Sequence, residues 1–426
     1  MRTSIVKSIG NTSDFKAKLL GWAQQFREVA FLDSNDYPQK YSSYDLIVAV
    51  DAITSLKTDY HNSFEELTQY QQISKDWLFG YLSYDLKNDI EELKSENFDG
   101  LGFPELFFFQ PKKLFLLKGS DLEICYLTMC DDEVDVDLQD IFAFENETEK
   151  TALPEIKSRV SKADYLEKVG MMKHHVSKGD IYEANFCIEF YADNTTIDPV
   201  STYLKLNAIS EPPFATFFKN HNSYVLSASP ERYLRKQDSL IISQPIKGTA
   251  RRHENPEQDQ QIKSELVESV KERAENIMIV DLVRNDLSKT ADKGSVHVEE
   301  LCGAYTFKQV HHLISTVTST SQKSPVEIIR ESFPMGSMTG APKISAMQII
   351  ETLEETKRGV YSGAIGYFDP SGNFDFNVVI RSIFYNKANG YLSFSVGSAI
   401  TSLSDPEKEH EECLIKSVAM RRALSD

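Results

Sequence analysis

Up to about residue 150, short apolar strands alternate with polar stretches of helical character, the most distinctive being WLFGYLSYDLKNDIEEL from Trp77 to Leu93. The pattern then lapses. Asp131 to Glu149 is rich in acids and lacks strong periodicity, which predicts a connecting segment or surface edge and a soft boundary near residue 150. Beyond it, SKADYLEKVGMMKHHVSKGD opens with Ser161 and, three residues later, Asp164, a capping-box-like start to a helix that Gly179 ends. Residues 181 to 242 read mostly as strands. A long helix is expected from about Pro256, where Ile262, Leu266 and Val270 recur at spacing four, running into ENIMIVDLVRNDLSK. A further helix starts after GSMTGAPK, and strands return from Tyr361 to Ser402 with turn signals at DPSGN and NKANG. The last helix, DPEKEHEECLIKSVAMRRAL, sets Leu414, Ile415 and Val418 on one side and Glu409, Glu412 and Lys416 with Cys413 and Met420 on the other. Apolar residues on both sides predict a buried helix with Glu412 partly enclosed. No internal repeat or low-complexity tract interrupts the chain.

The length, 426 residues, exceeds what one simple core supports and implies two domains or one large composite α/β domain. Acidic residues outnumber basic ones 64 to 46, a formal charge of −18, which argues against binding nucleic acid or an anionic membrane surface. Any anionic substrate must therefore meet locally placed cations. The five cysteines, Cys125, Cys130, Cys187, Cys302 and Cys413, include no CxxC pair, so neither a disulfide framework nor a zinc site is indicated and they read as reduced thiols in a cytoplasm. MRTSIVKSIGNTSDF lacks the apolar core of a signal peptide, and no run reaches transmembrane length.

Several side chains stand out against this background. Glu275 precedes the apolar run Ile277 to Val280, so on a continuing helix it shares a face with Ile279 and Leu282, where a carboxylate must be paired, protonated or bound to metal. Glu275 and Glu412 together could hold a magnesium ion that keeps several waters and takes a substrate carboxylate; two structural salt bridges would produce the same pattern. Glu231 in SASPERYL, taken alone, is a turn residue paired with Arg232. GSMTGAPK is a Gly-rich helix entry with Pro342 near the first helical position, a geometry that offers backbone N–H groups to an anion, without the GxxxxGK[ST] spacing of a nucleotide loop. Lys247 in SQPIKGTARR reads alone as a solvated charge, since lysine is seldom buried unless paired. His312 and Arg381, singly, read as a core histidine and a strand-edge arginine.

Taken together, PIKGTARR, ENIMIVDLVRNDLSK, SFPMGSMTGAPKISAMQIIE, RGVYSGAIGYF, VVIRSI and GSAI followed by EKEHEE resemble in order and spacing the chorismate-utilising enzymes. This is the family of anthranilate synthase component I, aminodeoxychorismate synthase component I and the isochorismate synthases. The resemblance covers residues 155–426 as a chorismate-binding catalytic region, with a weaker likeness of residues 1–150, at FGYLSYDL, to the N-terminal region of anthranilate synthase component I. It implies a composite α/β (α+β) fold, with two large, mostly antiparallel sheets packed face to face, helices outside and the active site in a cleft. It also implies that Glu275 and Glu412 bind Mg2+, with Glu409 as an accessory, and that the metal anchors the ring carboxylate of chorismate. Arg381 and Tyr361 match positions that bind the enolpyruvyl carboxylate; His312, Thr339, Gly340, Gly248 and Thr249 match other substrate contacts. Ala399 stands where the family usually has glycine, which centres backbone donation there on Gly397.

Within the family, anthranilate and isochorismate synthases carry a small apolar residue at the third position of PIxGT, whereas aminodeoxychorismate synthases typically carry lysine. Lys247 therefore resembles a nucleophile, and Glu231 matches the family's general acid. Isochorismate synthases have a lysine base where this chain has Glu183, so their way of activating water is missing. Two successive allylic displacements place nitrogen on ring carbon 4 with retained configuration: a neutral lysine adds at carbon 2 as hydroxide leaves carbon 4, then ammonia enters at carbon 4 and expels the lysine. Burial beside a metal cation is expected to keep that lysine neutral. The expected product is 4-amino-4-deoxychorismate, on the way to p-aminobenzoate and folate. No GxCxG glutaminase elbow surrounds any cysteine, so ammonia is expected from solution or from a separate glutamine amidotransferase subunit. The alternatives are anthranilate formation, against which Lys247 argues, and a non-enzymatic chorismate-binding protein, which would have lost a glutamate of the set.

Overall fold

The computed structural model describes residues 1–145 and 152–425. Among these, twenty strands, paired antiparallel throughout, join in one continuous hydrogen-bonded network with helices packed outside it. Successive side chains leave a strand on opposite faces. In the paired strands Glu28–Asp33 and Leu46–Thr58, Val29, Phe31, Leu46, Val48 and Val50 therefore enter one apolar cluster, while Ala30, Ile47 and Ala49 enter another. The first cluster takes up Phe15, Tyr165, Tyr203 and Met420 from overlying helices. The second lies between layers of strands as well as under helices. Phe218 of Phe214–Asn220 meets Tyr81 and Phe107 edge-on at 5.6 and 6.0 Å between ring centroids. The network thus folds over to bring two antiparallel layers face to face, as the resemblance implied.

The boundary expected near residue 150 falls within 146–151, outside the described residues. Strands from either side of it pair: Glu28–Asp33 with Phe214–Asn220, and Leu78–Leu82 with Ala364–Phe368, where Leu82 lies opposite Ala364. Residues Asp131 to Glu145 differ from the expected connecting segment. They include the helix Val134–Ala143, with Val134, Leu138 and Ile141 buried at helical spacing and Asp137 bound to Lys113 at 2.5 Å. Acids between the apolar positions conceal that period in the sequence.

The helix Lys162–Lys178 begins and ends as predicted, with Ser161 Oγ accepting from the Asp164 amide at 3.2 Å and Gly179 at φ +84°. Residues 181 to 242 are not all strand. Pro199–Ser210 is a helix whose first turn is capped by the Asp198 carboxylate, with Pro199 at its start. The long helix expected from Pro256 divides at Ser269, which is extended and caps the second segment; Pro256–Glu268 and Val270–Ser288 result, and Val270 is exposed. The final helix, Pro406–Ser425, also differs. Its Cys413, Ser417 and Met420 face is buried, whereas Leu414, Ile415 and Val418 are exposed. No helix of the described residues is long and apolar enough to cross a membrane.

Candidate active site

Lys247 stands in the strand Ile246–Arg251, which pairs with Val310–Thr320 through an irregular register between Ile246 and Thr249. Gly248 makes that irregularity possible: its φ of +99° strains any residue with a side chain, and a Cβ there would lie 3.1 Å from Leu313. Asn276, buried on the helix Val270–Ser288, donates to the Lys247 carbonyl at 2.9 Å and to the Leu313 carbonyl at 3.2 Å, fixing the backbone beneath the lysine. The Lys247 side chain is 16% exposed, and its Nζ donates to Glu183 Oε1 at 3.0 Å. Glu183 opens the strand Glu183–Ala192; it is buried, and its Oε2 has no hydrogen-bond partner.

Burial disfavours the ammonium, but Glu183 at contact distance and the fields of Glu275 and Glu412 outweigh it and raise the lysine above its ordinary range. The ammonium form is thus favoured by the carboxylates turned toward it, two of which, Glu275 and Glu412, are the expected magnesium ligands.

GSMTGAPK is folded onto the same place. Gly340–Ala341 pairs with Ala184 and Glu183, and the helix Lys343–Leu353 follows, with Pro342 at its N-cap. A Cβ on Gly340 would lie 2.2 Å from the Glu183 carbonyl oxygen and 2.8 Å from Ala346 Cβ, so only glycine lets this loop close against the strand. Thr339 is buried and spends its hydroxyl on the Met335 and Gly336 carbonyls at 3.3 Å, so it shapes the loop.

Glu231 occupies the bend between Ser223–Ser229 and Arg232–Gln237 and is buried. It does not pair with Arg232, whose Nε binds Asp375 at 3.0 Å. Burial pushes its carboxyl up to about 7, against the opposing influence of the Ser337 hydroxyl, the Lys247 charge and the Ile246 amide. At neutral pH such a group holds a proton it can give away.

Arg381, in the field of Glu412, supplies a cationic group beside His312. His312 is opposite Thr249, with Nδ1 and Oγ1 2.8 Å apart; burial first, then the Arg381 charge, lower its imidazole to about 3, so it is neutral. Arg381 has φ +55° just before the strand Ser382–Asn386 and donates to the Lys416 carbonyl at 3.3 Å. Tyr361 is buried, with its hydroxyl 3.7 Å from Cys187 Sγ, and burial raises that hydroxyl well above its ordinary range. Gly397 accepts from Lys416 Nζ at 2.8 Å through its carbonyl.

Glu275 is 21% exposed, with Lys271 at 3.7 Å, and burial raises its carboxyl. Glu412 is half-exposed rather than enclosed and binds Lys416 at 2.6 Å. Glu409, one turn away, is the buried member of the pair; burial and the nearby Glu412 raise its carboxyl. Among the described residues no three His, Cys, Asp or Glu side chains stand close enough to enclose a metal by themselves. Glu275, Glu409 and Glu412 offer oxygen donors only, which fits a hard cation that retains water, and Mg2+ is such an ion.

Lys247 thus lies in the field of Glu231 and of Glu412, and Glu412 in turn lies in the field of Arg381, which acts on His312. The sequence profile of the chorismate binding enzymes matches residues 27–422, and the chain belongs to that family. The aminodeoxychorismate synthase component 1 of Bacillus subtilis (strain 168) is 32% identical over 373 residues, 81% of this chain and 76% of that protein. The probable chloroplastic aminodeoxychorismate synthase of Oryza sativa subsp. japonica is 39% identical over 271 residues, 62% of this chain; the chain spans only 30% of that relative's length. The fold is that of anthranilate synthase component I from Streptococcus pneumoniae, with a TM-score of 0.79 at 22% identity over 91% of this chain and 95% of that one.

Three residues of the site carry no role in the sequence reading. Asn276 is visible there only as the neighbour of Glu275, and Ser337 only as part of GSMTG. Glu183 is visible as the occupant of another enzyme's base position, but its pairing with Lys247 needs the fold, since 64 positions separate them.

Proposed function

We propose that the chain converts chorismate and ammonia to 4-amino-4-deoxychorismate, acting as an aminodeoxychorismate synthase component I in p-aminobenzoate and folate biosynthesis. The observation that carries this reading is the Lys247 amine, buried in the cleft among carboxylates with Glu231 in its field. The amine adds to ring carbon 2 while Glu231 gives its proton to the hydroxyl leaving carbon 4; ammonia then enters at carbon 4 and expels the lysine. Arg381 and Tyr361 bind the enolpyruvyl carboxylate, and His312, Gly248, Thr249, Thr339, Gly340 and Gly397 shape the rest of the pocket. Glu275 and Glu412, with Glu409 behind them, would hold a magnesium ion that supplies positive charge for the ring carboxylate. Ammonia comes from a separate glutamine amidotransferase subunit, and the five unpaired cysteines suit a cytoplasmic location.

The purified chain, given chorismate, Mg2+ and ammonium, is expected to form 4-amino-4-deoxychorismate without releasing pyruvate and to show no glutamine-dependent turnover. Without ammonia it should accumulate an adduct of chorismate less one water on Lys247, which ammonia discharges. Lys247→Arg should form neither adduct nor product, because guanidinium stays protonated. Anthranilate with pyruvate as the product, or full activity in Lys247→Arg, would refute the reading.

A further inference from the structure

We propose that Glu183 is the proton acceptor of Lys247, taking a proton from the ammonium as the amine adds to substrate and returning it when the amine is expelled. The inference rests on the lysine-bound intermediate proposed above and adds a residue to it. Glu183 Oε1 lies 3.0 Å from Nζ, the distance of a charge-assisted hydrogen bond, and Glu183 is the carboxylate in ion-pair contact with that nitrogen. It is held rigidly: its strand is clamped by Gly340–Ala341 on one edge and by Tyr391–Ile400 on the other. Its second oxygen is buried without a partner, an arrangement that a protonated carboxyl tolerates better than a carboxylate does. The other charged groups facing Nζ are Glu275 from the helix Val270–Ser288, Glu412 from the final helix, and Glu231 from the bend after Ser223–Ser229. The first two are the expected magnesium ligands, and Glu231 is already committed to the leaving hydroxyl.

The proton inventory closes. The step starts from the Lys247–Glu183 contact as an ammonium–carboxylate ion pair, with a proton on Glu231. One proton passes from Nζ to Glu183, the nitrogen–carbon 2 bond forms, the carbon 4–oxygen bond breaks, and the Glu231 proton leaves in water. When ammonia bonds to carbon 4, the carbon 2–nitrogen bond breaks and releases a neutral lysine. Glu183 then returns its proton to Nζ, and Glu231 recovers one from the new ammonium at carbon 4. No co-reactant beyond chorismate and ammonia is needed.

The test is the rate of adduct formation on Lys247 in the intact protein with chorismate and Mg2+ but no ammonia, followed by mass spectrometry from pH 6 to 9. In the wild-type protein the proton moves inside the pair, so the rate should carry only the pH dependence of Glu231, a fall as pH rises through about 7. In Glu183→Gln the proton must go to solvent; the rate should fall at least tenfold at pH 7 and the deficit against wild type should shrink as pH rises, while Glu183→Asp should keep the wild-type profile at a reduced rate. If Glu183→Gln forms the adduct at the wild-type rate with the wild-type profile, Glu183 is not the acceptor and only this inference fails. An unchanged profile with a lowered unfolding temperature would make Glu183 a structural residue and likewise overturn it. If the wild-type protein forms no adduct at all, the lysine mechanism and this inference fall together.

Discussion

Replacing Glu231 with glutamine separates the cost of a buried acid from its use. The carboxyl ordinarily titrates near 4.5 and is pushed up to about 7 by burial. Between those values the folded protein holds a proton that the unfolded chain has released, so the group's favourable contribution is complete below pH 4.5 and is lost as pH rises through 7. A shift of about 2.5 units corresponds to about 3 kcal/mol. Glutamine is neutral at every pH and avoids the penalty. In urea unfolding without metal or substrate, Glu231→Gln should exceed the wild-type protein by about 3 kcal/mol at pH 8 and by less than about 1 kcal/mol at pH 5. The same substitution should lower kcat by about 10²- to 10⁴-fold, the usual worth of a general acid, and erase the fall in wild-type activity expected above pH 7. Equal stability of the two proteins at pH 8, or an equal difference at both pH values, would refute the argument that burial sets this carboxyl's titration.

Glu275→Gln and Glu412→Gln should each abolish magnesium-dependent turnover while leaving the unfolding temperature within a few degrees of wild type; near-normal activity of either at ordinary magnesium concentration would contradict the ligand assignment. Gly340→Ala should destabilise the protein by about 1–3 kcal/mol, the usual cost of overpacking, because the added methyl group meets the Glu183 carbonyl. The same variant should slow adduct formation by moving the strand that carries Glu183, and an unchanged adduct rate would show that the strand and the loop are not coupled.

How far the sequence could be read depended on whether the deciding information was local. The helix from Ser161 to Gly179 is announced by its caps, and the strands after Tyr361 by their turns. The break at Ser269 was not legible, because Ile262, Leu266 and Val270 keep helical spacing straight through it and only the backbone of one serine interrupts the helix. The final helix misled for the opposite reason: both of its faces are apolar enough to be buried, and neighbouring elements decide that Cys413 and Met420 go inward while Leu414, Ile415 and Val418 stay out. Glu231, Lys247 and Arg381 were found by motif. What the motifs could not supply is the charge state of Lys247, which depends on carboxylates from three separate segments converging on it.

The pairing of Leu78–Leu82 with Ala364–Phe368 has a consequence for how the chain is made. Leu82 and Ala364 are about 280 positions apart, and a ribosome adds roughly 5–20 residues per second, so the earlier strand waits on the order of 15–60 s for its partner to be synthesised. During that interval Leu106–Lys118 can cover one edge of Leu78–Leu82, but the other edge stays open, and its buried neighbours Phe79, Tyr81 and Phe108 have only part of their final surroundings. Open strand edges beside aromatic surface invite intermolecular pairing. Closure of the sheet is therefore a late, nonlocal event, of the kind that makes folding slow and sensitive to chain concentration.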